Sequence, residues 1–135
     1  MPAAPAAVEL AMVAAQAAAD KLATDVTVLD VADRLPITDV FVLTSAPNDR
    51  QVRAIVDEVE LRMREAGAKP IRREGEREAR WVLLDFGDVI VHVQHAEERE
   101  YYDLERLWKD CPQLTFVDAD AARHSAVTAA AATGE

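Results

Sequence analysis

A chain of 135 residues with 25 acidic and 15 basic side chains carries a net charge of −10. It suits one domain with a modest core, and it is a poor holder of bare nucleic acid, because phosphate binding runs on Lys and Arg. No apolar run approaches a membrane span, the start MPAAPAAVELA lacks the basic and apolar regions of a signal peptide, and the single Cys111 cannot close an internal disulfide.

These features lead us to expect a cytoplasmic setting, with Cys111 as a small packing residue. The acidity leaves room for a basic protein partner, since opposite charge raises association rate over long range.

Residues 1–7 are Ala and Pro and are expected to fray. From Val8 to about Ala23 strong helix formers follow, with Val8, Met12, Ala15, Ala19 and Leu22 as a thin apolar stripe. Asp25 opens a first strand, DVTVLDV, and VFVLTS at 40–45 reads as a second, apolar enough for an inner strand. Asn48 with Gln51 three residues on is a capping-box pattern. The helix it opens runs to about Ala66 and buries Val52, Ile55, Val56, Val59 and Met63, with Gly67 as its stop.

An extended piece around Lys69–Arg73 leads into a turn at Glu74-Gly75-Glu76, inside the doubly charged run RREGEREAR, a solvated tip. If that piece lies parallel to the second strand, the intervening helix makes a crossover. Ala96 to Asp110 reads as one helix with Tyr101, Leu104, Leu107 and Trp108 on one side, and Leu114 to Val117 as a short extended piece. From Asp118 the tail is Ala-rich and expected to be disordered. The prediction is an α/β domain over residues 8–117, a mixed sheet of about five strands with flanking helices.

The centre of the chain is WVLLDFGDVIVH, residues 81–92. It reads as a hairpin reversing at Phe86-Gly87, which pairs Leu84 with Val89, Leu83 with Ile90, and Trp81 with His92. Alternation sends Val82, Leu84, Val89, Val91 and Val93 to one wholly aliphatic face. The other face carries Trp81, Leu83, Asp85, Asp88, Ile90 and His92, with the two carboxylates opposite each other at its end. Like charges so placed call for a basic partner or for water.

Asp39, Asp85 and Asp88 at strand ends suggest a magnesium-dependent nucleotidyl- or phosphoryl-transfer enzyme as an alternative. No glycine-rich phosphate loop accompanies them. His92 and His95, three apart on a strand, point to opposite faces, so no metal or other cofactor is called for.

Ile37-Thr38-Asp39-Val40-Phe41-Val42, Arg50 to Ile55, Glu74-Gly75, Trp81 to Val93 and the block YYDLERLW at 101–108, in this order, resemble the ribosomal silencing factor family, also called RsfS or Iojap-like. The resemblance covers about Leu10 to Val117. The chain departs from the family at Ser45-Ala46-Pro47-Asn48, where a glycine usually follows the threonine.

The resemblance implies a nucleotidyltransferase-like fold without the active-site motif, no known catalysis, and no cofactor. It implies a translational repressor that binds the large ribosomal subunit, through a basic ribosomal protein (large-subunit protein fourteen) beside the subunit-joining face. The factor would block joining of the small subunit when nutrients are short, and would be a homodimer when free. The expected partner-binding residues are Glu74, Trp81, Leu83, Asp85, Phe86, Asp88, Ile90 and His92. They would contact protein, with neither membrane nor sequence-specific nucleic acid involved.

Overall fold

The computed structural model describes residues 1–120. The elements run α1 (Pro5–Asp20), β1 (Thr24–Asp30), β2 (Val40–Ala46), α2 (Asp49–Glu65), β3 (Arg72–Glu74), β4 (Trp81–Asp85), β5 (Val89–His95), α3 (Ala96–Tyr102), α4 (Leu104–Leu107) and β6 (Gln113–Leu114). The strands form one sheet of six in the order β3-β4-β5-β2-β1-β6. It is the mixed sheet expected, with one strand more, the two-residue β6 on the outer edge of β1.

β2 is buried along its whole length, which suits its unbroken apolar run. Its parallel neighbour is β5, register Val40 with Val89 through Ala46 with His95. The piece near Lys69 is not that neighbour. β3 lies instead at the far edge, antiparallel to β4, because its three residues, Arg72, Arg73 and Glu74, are charged and exposed and cannot fill an inner position.

One face of the sheet packs on α1 and α2. α2 follows the sequence closely. The Asn48 side chain accepts from the Gln51 backbone N–H at 2.8 Å, the buried stripe is Val52, Ile55, Val56, Val59 and Met63, and Gly67 has φ +92 just past the end.

α1 departs from expectation. Its buried side is Ala7, Ala11, Ala14, Ala15, Ala17 and Ala18, while Val8 and Met12 are only half-buried and Leu22 lies past the helix end, exposed, with φ 62. Alanine lets the helix backbone close onto its neighbours, so the face with the least side chain is the one that packs. The helix also starts earlier, at Pro5, whose fixed φ suits the first turn. Ala3 and Ala4 backbone N–H groups donate to the carboxylates of Asp30 and Asp39, each at 2.9 Å, so the stretch expected to fray is tied to the strand ends.

The other face of the sheet is covered over part of its area by α3 and α4, around Leu29, Val31, Phe41, Leu43, Leu104 and Cys111. The single helix expected over 96–110 is broken. Asp103 adopts a left-handed conformation (φ 44, ψ 61), which Asp tolerates better than most residues, and the chain turns there. The break lets Leu104 bury while Tyr101 and Leu107 face solvent. Cys111 is buried as a packing residue. At the C-terminal side Gln16 of α1 donates to Asp118 and accepts from the Ala119 N–H, both at 2.9 Å. The expected Ala-rich disordered tail otherwise lies, from residue 121, outside the described residues.

Candidate functional site: the outer face of the central hairpin

β4 and β5 form the predicted hairpin, in a different register. Asp85 pairs with Ile90, Leu84 with Val91, Leu83 with His92 and Trp81 with Gln94. The Phe86 N–H donates to the Val89 carbonyl at 2.9 Å, so the two turn residues are Gly87 and Asp88, not Phe86 and Gly87. Gly87 takes φ +90 at the first turn position, and its N–H is accepted by the Asp85 carboxylate at 2.8 Å.

Moving the reversal by one residue moves every pairing by two, and two is the strand period, so each side chain keeps its face. Val82, Leu84, Val89, Val91 and Val93 are accordingly buried in the helix-side core. The two aspartates, however, are not opposite each other: Asp85 faces Ile90 and Asp88 sits in the turn.

On the outer face Trp81, Leu83, Asp85 and Ile90 are half-buried and Asp88 is exposed. Glu74, opposite Leu83 on β3, is exposed and borders a shallow dent with Trp81 and Leu83. Arg72 lies 3.4 Å from Glu74 and 3.8 Å from Asp85, so both carboxylates have a solvent-exposed cation nearby. The Asp88 side chain has no ion pair among the described residues, while its carbonyl accepts from Asp39 and Val40 and joins the turn to β2. Phe86 does not join this face; it packs against the helix-side core.

His92 is also not at the surface. It is 6% exposed, under Trp81, with Phe41 edge-on at 5.0 Å. The Trp81 indole N–H donates to His92 Nδ1 at 3.1 Å, which fixes the ring above it, and His92 Nε2 has no hydrogen-bond partner among the described residues. Burial, with Arg99 nearby, pushes the His92 pKa down to about 4, so the ring is neutral at pH 7.

Arg99 went unnoticed in the sequence. Its buried guanidinium donates to the Asp25 carbonyl at 2.6 Å and to Glu105 at 2.8 Å, and so clamps α3 over β1. Tyr102, the second half of the YY doublet, was also missed as a site residue; its ring lies 4.8 Å from that of Trp81 and extends the aromatic surface onto α3.

Two of the three carboxylates of the enzymatic alternative are used by the fold, while Asp88 is engaged only through its backbone carbonyl. Asp39 accepts from Ala4 and Asp85 from Gly87. Among the described residues the one acidic trio compact enough for a cation is Asp20, Asp118 and Asp120, away from this face, and there Asp20 is already held by Gln16 and Arg62.

Gly75 sets where Trp81 sits. It has φ +80, and a Cβ added there would lie 1.9 Å from the Trp81 carbonyl oxygen. Gly75→Ala is expected to lower stability by about 2 kcal/mol or more and to shift Trp81 emission, because backbone must move against backbone. Urea unfolding followed by tryptophan fluorescence checks this; an unchanged midpoint and spectrum would contradict the close approach.

Comparison with known proteins agrees with this architecture. The family described as "Ribosomal silencing factor during starvation" matches residues 4–135. A Bacillus subtilis protein named ribosomal silencing factor RsfS is 45% identical over 100 residues, 74% of this chain and 85% of that one. A solved structure from Bacillus halodurans superposes with a TM-score of 0.71 at 39% identity, covering 81% of this chain and 99% of the other. A mouse protein named "Mitochondrial assembly of ribosomal large subunit protein 1" is 30% identical over 89 residues, 64% of this chain and 39% of its own length.

Proposed function

The chain belongs to the ribosomal silencing factor family, and on that premise we propose that it represses translation by binding the large ribosomal subunit and sterically blocking the small one. The observation that carries this reading is the outer hairpin face. Trp81, Leu83 and Ile90 present apolar surface beside Glu74, Asp85 and the unpaired Asp88, in a chain of net charge −10. Trp in such a position is typical of residues that dominate interface energy, and the carboxylates suit a Lys- or Arg-rich protein. The partner is a basic protein of the large subunit beside its joining face, the one numbered fourteen. The mouse relative's name, which ties that protein to large-subunit assembly, supports the same subunit.

The factor acts in the cytoplasm when nutrients are short, and pairs with a second copy when free. No helix among the described residues is long and apolar enough to cross a membrane. Repression here needs no chemistry. Occupying the joining face suffices, which fits the engagement of the Asp39 and Asp85 carboxylates by backbone N–H groups of the fold.

Sedimentation through sucrose gradients tests the proposal. Wild-type protein is expected to travel with the large subunit and to lower the yield of joined ribosomes. Asp88→Lys is expected to bind roughly fivefold more weakly at low salt and to approach wild type as salt rises, with Asp88→Asn between them. Failure of the wild type to travel with large subunits would reject the reading. Magnesium-dependent turnover of a nucleotide, abolished in Asp88→Asn, would restore the enzymatic one.

A further inference from the structure

Trp81 has a support on the opposite side of the sheet. Residues 75–80, which join β3 to β4, are anchored to both helical layers. On the α2 side the Arg53 guanidinium donates to the Glu76 carbonyl at 3.2 Å and to the Arg77 carbonyl at 3.0 Å. Ala79 is buried in the helix-side core with φ 54. On the α3 side Arg80 donates to Glu97 at 3.0 Å and to Glu98 at 2.7 Å, and its carbonyl accepts from the His95 N–H at 2.7 Å. An alanine in left-handed backbone persists only where its surroundings hold it there.

Arg53 holds the middle of a closed turn. The Ala79 N–H donates back to the Gly75 carbonyl at 3.1 Å, and the two carbonyls that Arg53 takes lie between these ends. Glu74 directly precedes the turn and Trp81 follows it, and Gly75 lies so close to the Trp81 carbonyl that no Cβ fits between them. Any movement of the turn therefore passes through backbone to both residues. Arg53 itself is away from their surface. With Val56, Asp57, Glu76 and Val82 it borders a cavity of about 180 Å³, and Val82 belongs to the helix-side core. Bridging two carbonyls needs donors in a fork, which a guanidinium has and an ammonium lacks.

We propose that Arg53 is a positioning residue for large-subunit binding: it latches the 75–80 turn to α2 and so holds Glu74 and Trp81 in the arrangement the partner meets. The proposal rests on the reading of the hairpin face as the ribosome-binding surface, and it adds a residue that does not touch the partner. A surface already held in its bound arrangement gives up less freedom on association.

Two substitutions test it. Arg53→Met keeps the stem and removes the donors, and Arg53→Lys restores one point of contact. Arg53 is exposed and outside the buried stripe of α2, so folding, checked by circular dichroism, is expected to hold. In the free protein the Ala79 amide of Arg53→Met should exchange its hydrogen about tenfold faster. Fluorine NMR of fluorotryptophan-labelled protein should show the Trp81 signal shifted and the Trp108 signal in place. In sedimentation Arg53→Met should bind large subunits roughly five- to tenfold more weakly, with Arg53→Lys between it and the wild type. In a Trp81→Ala background the same change should add less than about twofold, because Arg53 acts through Trp81.

Wild-type affinity in Arg53→Met would overturn the positioning role and leave the hairpin reading standing. A full, additive loss in the Trp81→Ala background would also overturn it, since Arg53 would then meet the partner directly. Unchanged Ala79 exchange and an unmoved Trp81 signal would show that no latch exists. A wild type that does not travel with large subunits would overturn the functional reading itself, and this role with it.

Discussion

Between pH 7.5 and 4.5 the wild-type chain is expected to lose roughly 2–3 kcal/mol of stability that a His92→Gln variant does not lose. His92 has a pKa near 4 in the fold, well below its ordinary value near 6.5, because burial under Trp81 strips water from the ring and Arg99 adds positive charge nearby. Inside that window the unfolded chain binds the proton and the native one does not. Stability is therefore complete above about pH 6.5 and falls as the pH drops toward 4. Below that the native ring takes up the proton as well and the loss levels off.

Carboxylates titrate over part of the same range, which is why the difference between two proteins is the useful quantity. His92→Gln keeps a hydrogen-bond acceptor for the Trp81 indole and removes the titration. Urea midpoints at the two pH values measure the effect. Parallel loss in both proteins would mean that His92 is solvated or charged in the native state.

Trp81→Ala is expected to weaken large-subunit binding by about 2–3 kcal/mol, roughly 30- to 150-fold. Trp81 stands at the junction of three parts of the surface. It borders the dent with Glu74 and Leu83, covers His92, and lies 4.8 Å from the Tyr102 ring, tilted by 48° to it. Truncation would remove apolar contact with the partner and also leave His92 Nδ1 without its donor.

Trp81→Phe separates the two effects, because it keeps an aromatic face and loses only the indole N–H. It should cost less than tenfold in affinity, with a stability loss of about 1 kcal/mol from the orphaned imidazole nitrogen. Binding is read by sedimentation with separated subunits, at protein concentrations where circular dichroism shows each variant folded. Wild-type affinity in Trp81→Ala would place the contact elsewhere on the molecule.

Among the expected partner-binding residues, the structure groups Glu74, Trp81, Leu83, Asp85, Asp88 and Ile90 around one surface and takes two away. Phe86 belongs to the helix-side core, since the turn is displaced by one residue and the ring falls on that side. His92 shares the outer face by alternation yet lies beneath Trp81. Alternation tells which side of a sheet a residue points to. It does not tell what will be laid over it.

Local features were legible from the sequence because their causes are local. The Asn48 cap, the stripe of α2 and the Gly67 stop depend on residues three or four apart, and all three stand as read. The two faces of the hairpin were also determined, because a register shift of two leaves every side chain on its side.

Tertiary structure alone decided the rest. That β2 takes β5 as its parallel neighbour, and that β3 goes to the edge, follows from competition among strands for burial. The choice of the alanine face of α1 follows from how closely two backbones can approach. The helix expected over 96–110 has good local periodicity throughout, and it breaks at Asp103 because burying Leu104 against Phe41 and Leu43 outweighs one residue of left-handed backbone. Sequence periodicity measures what a segment can present. Only the packed neighbour, bringing in contacts from far along the chain, determines which presentation is used.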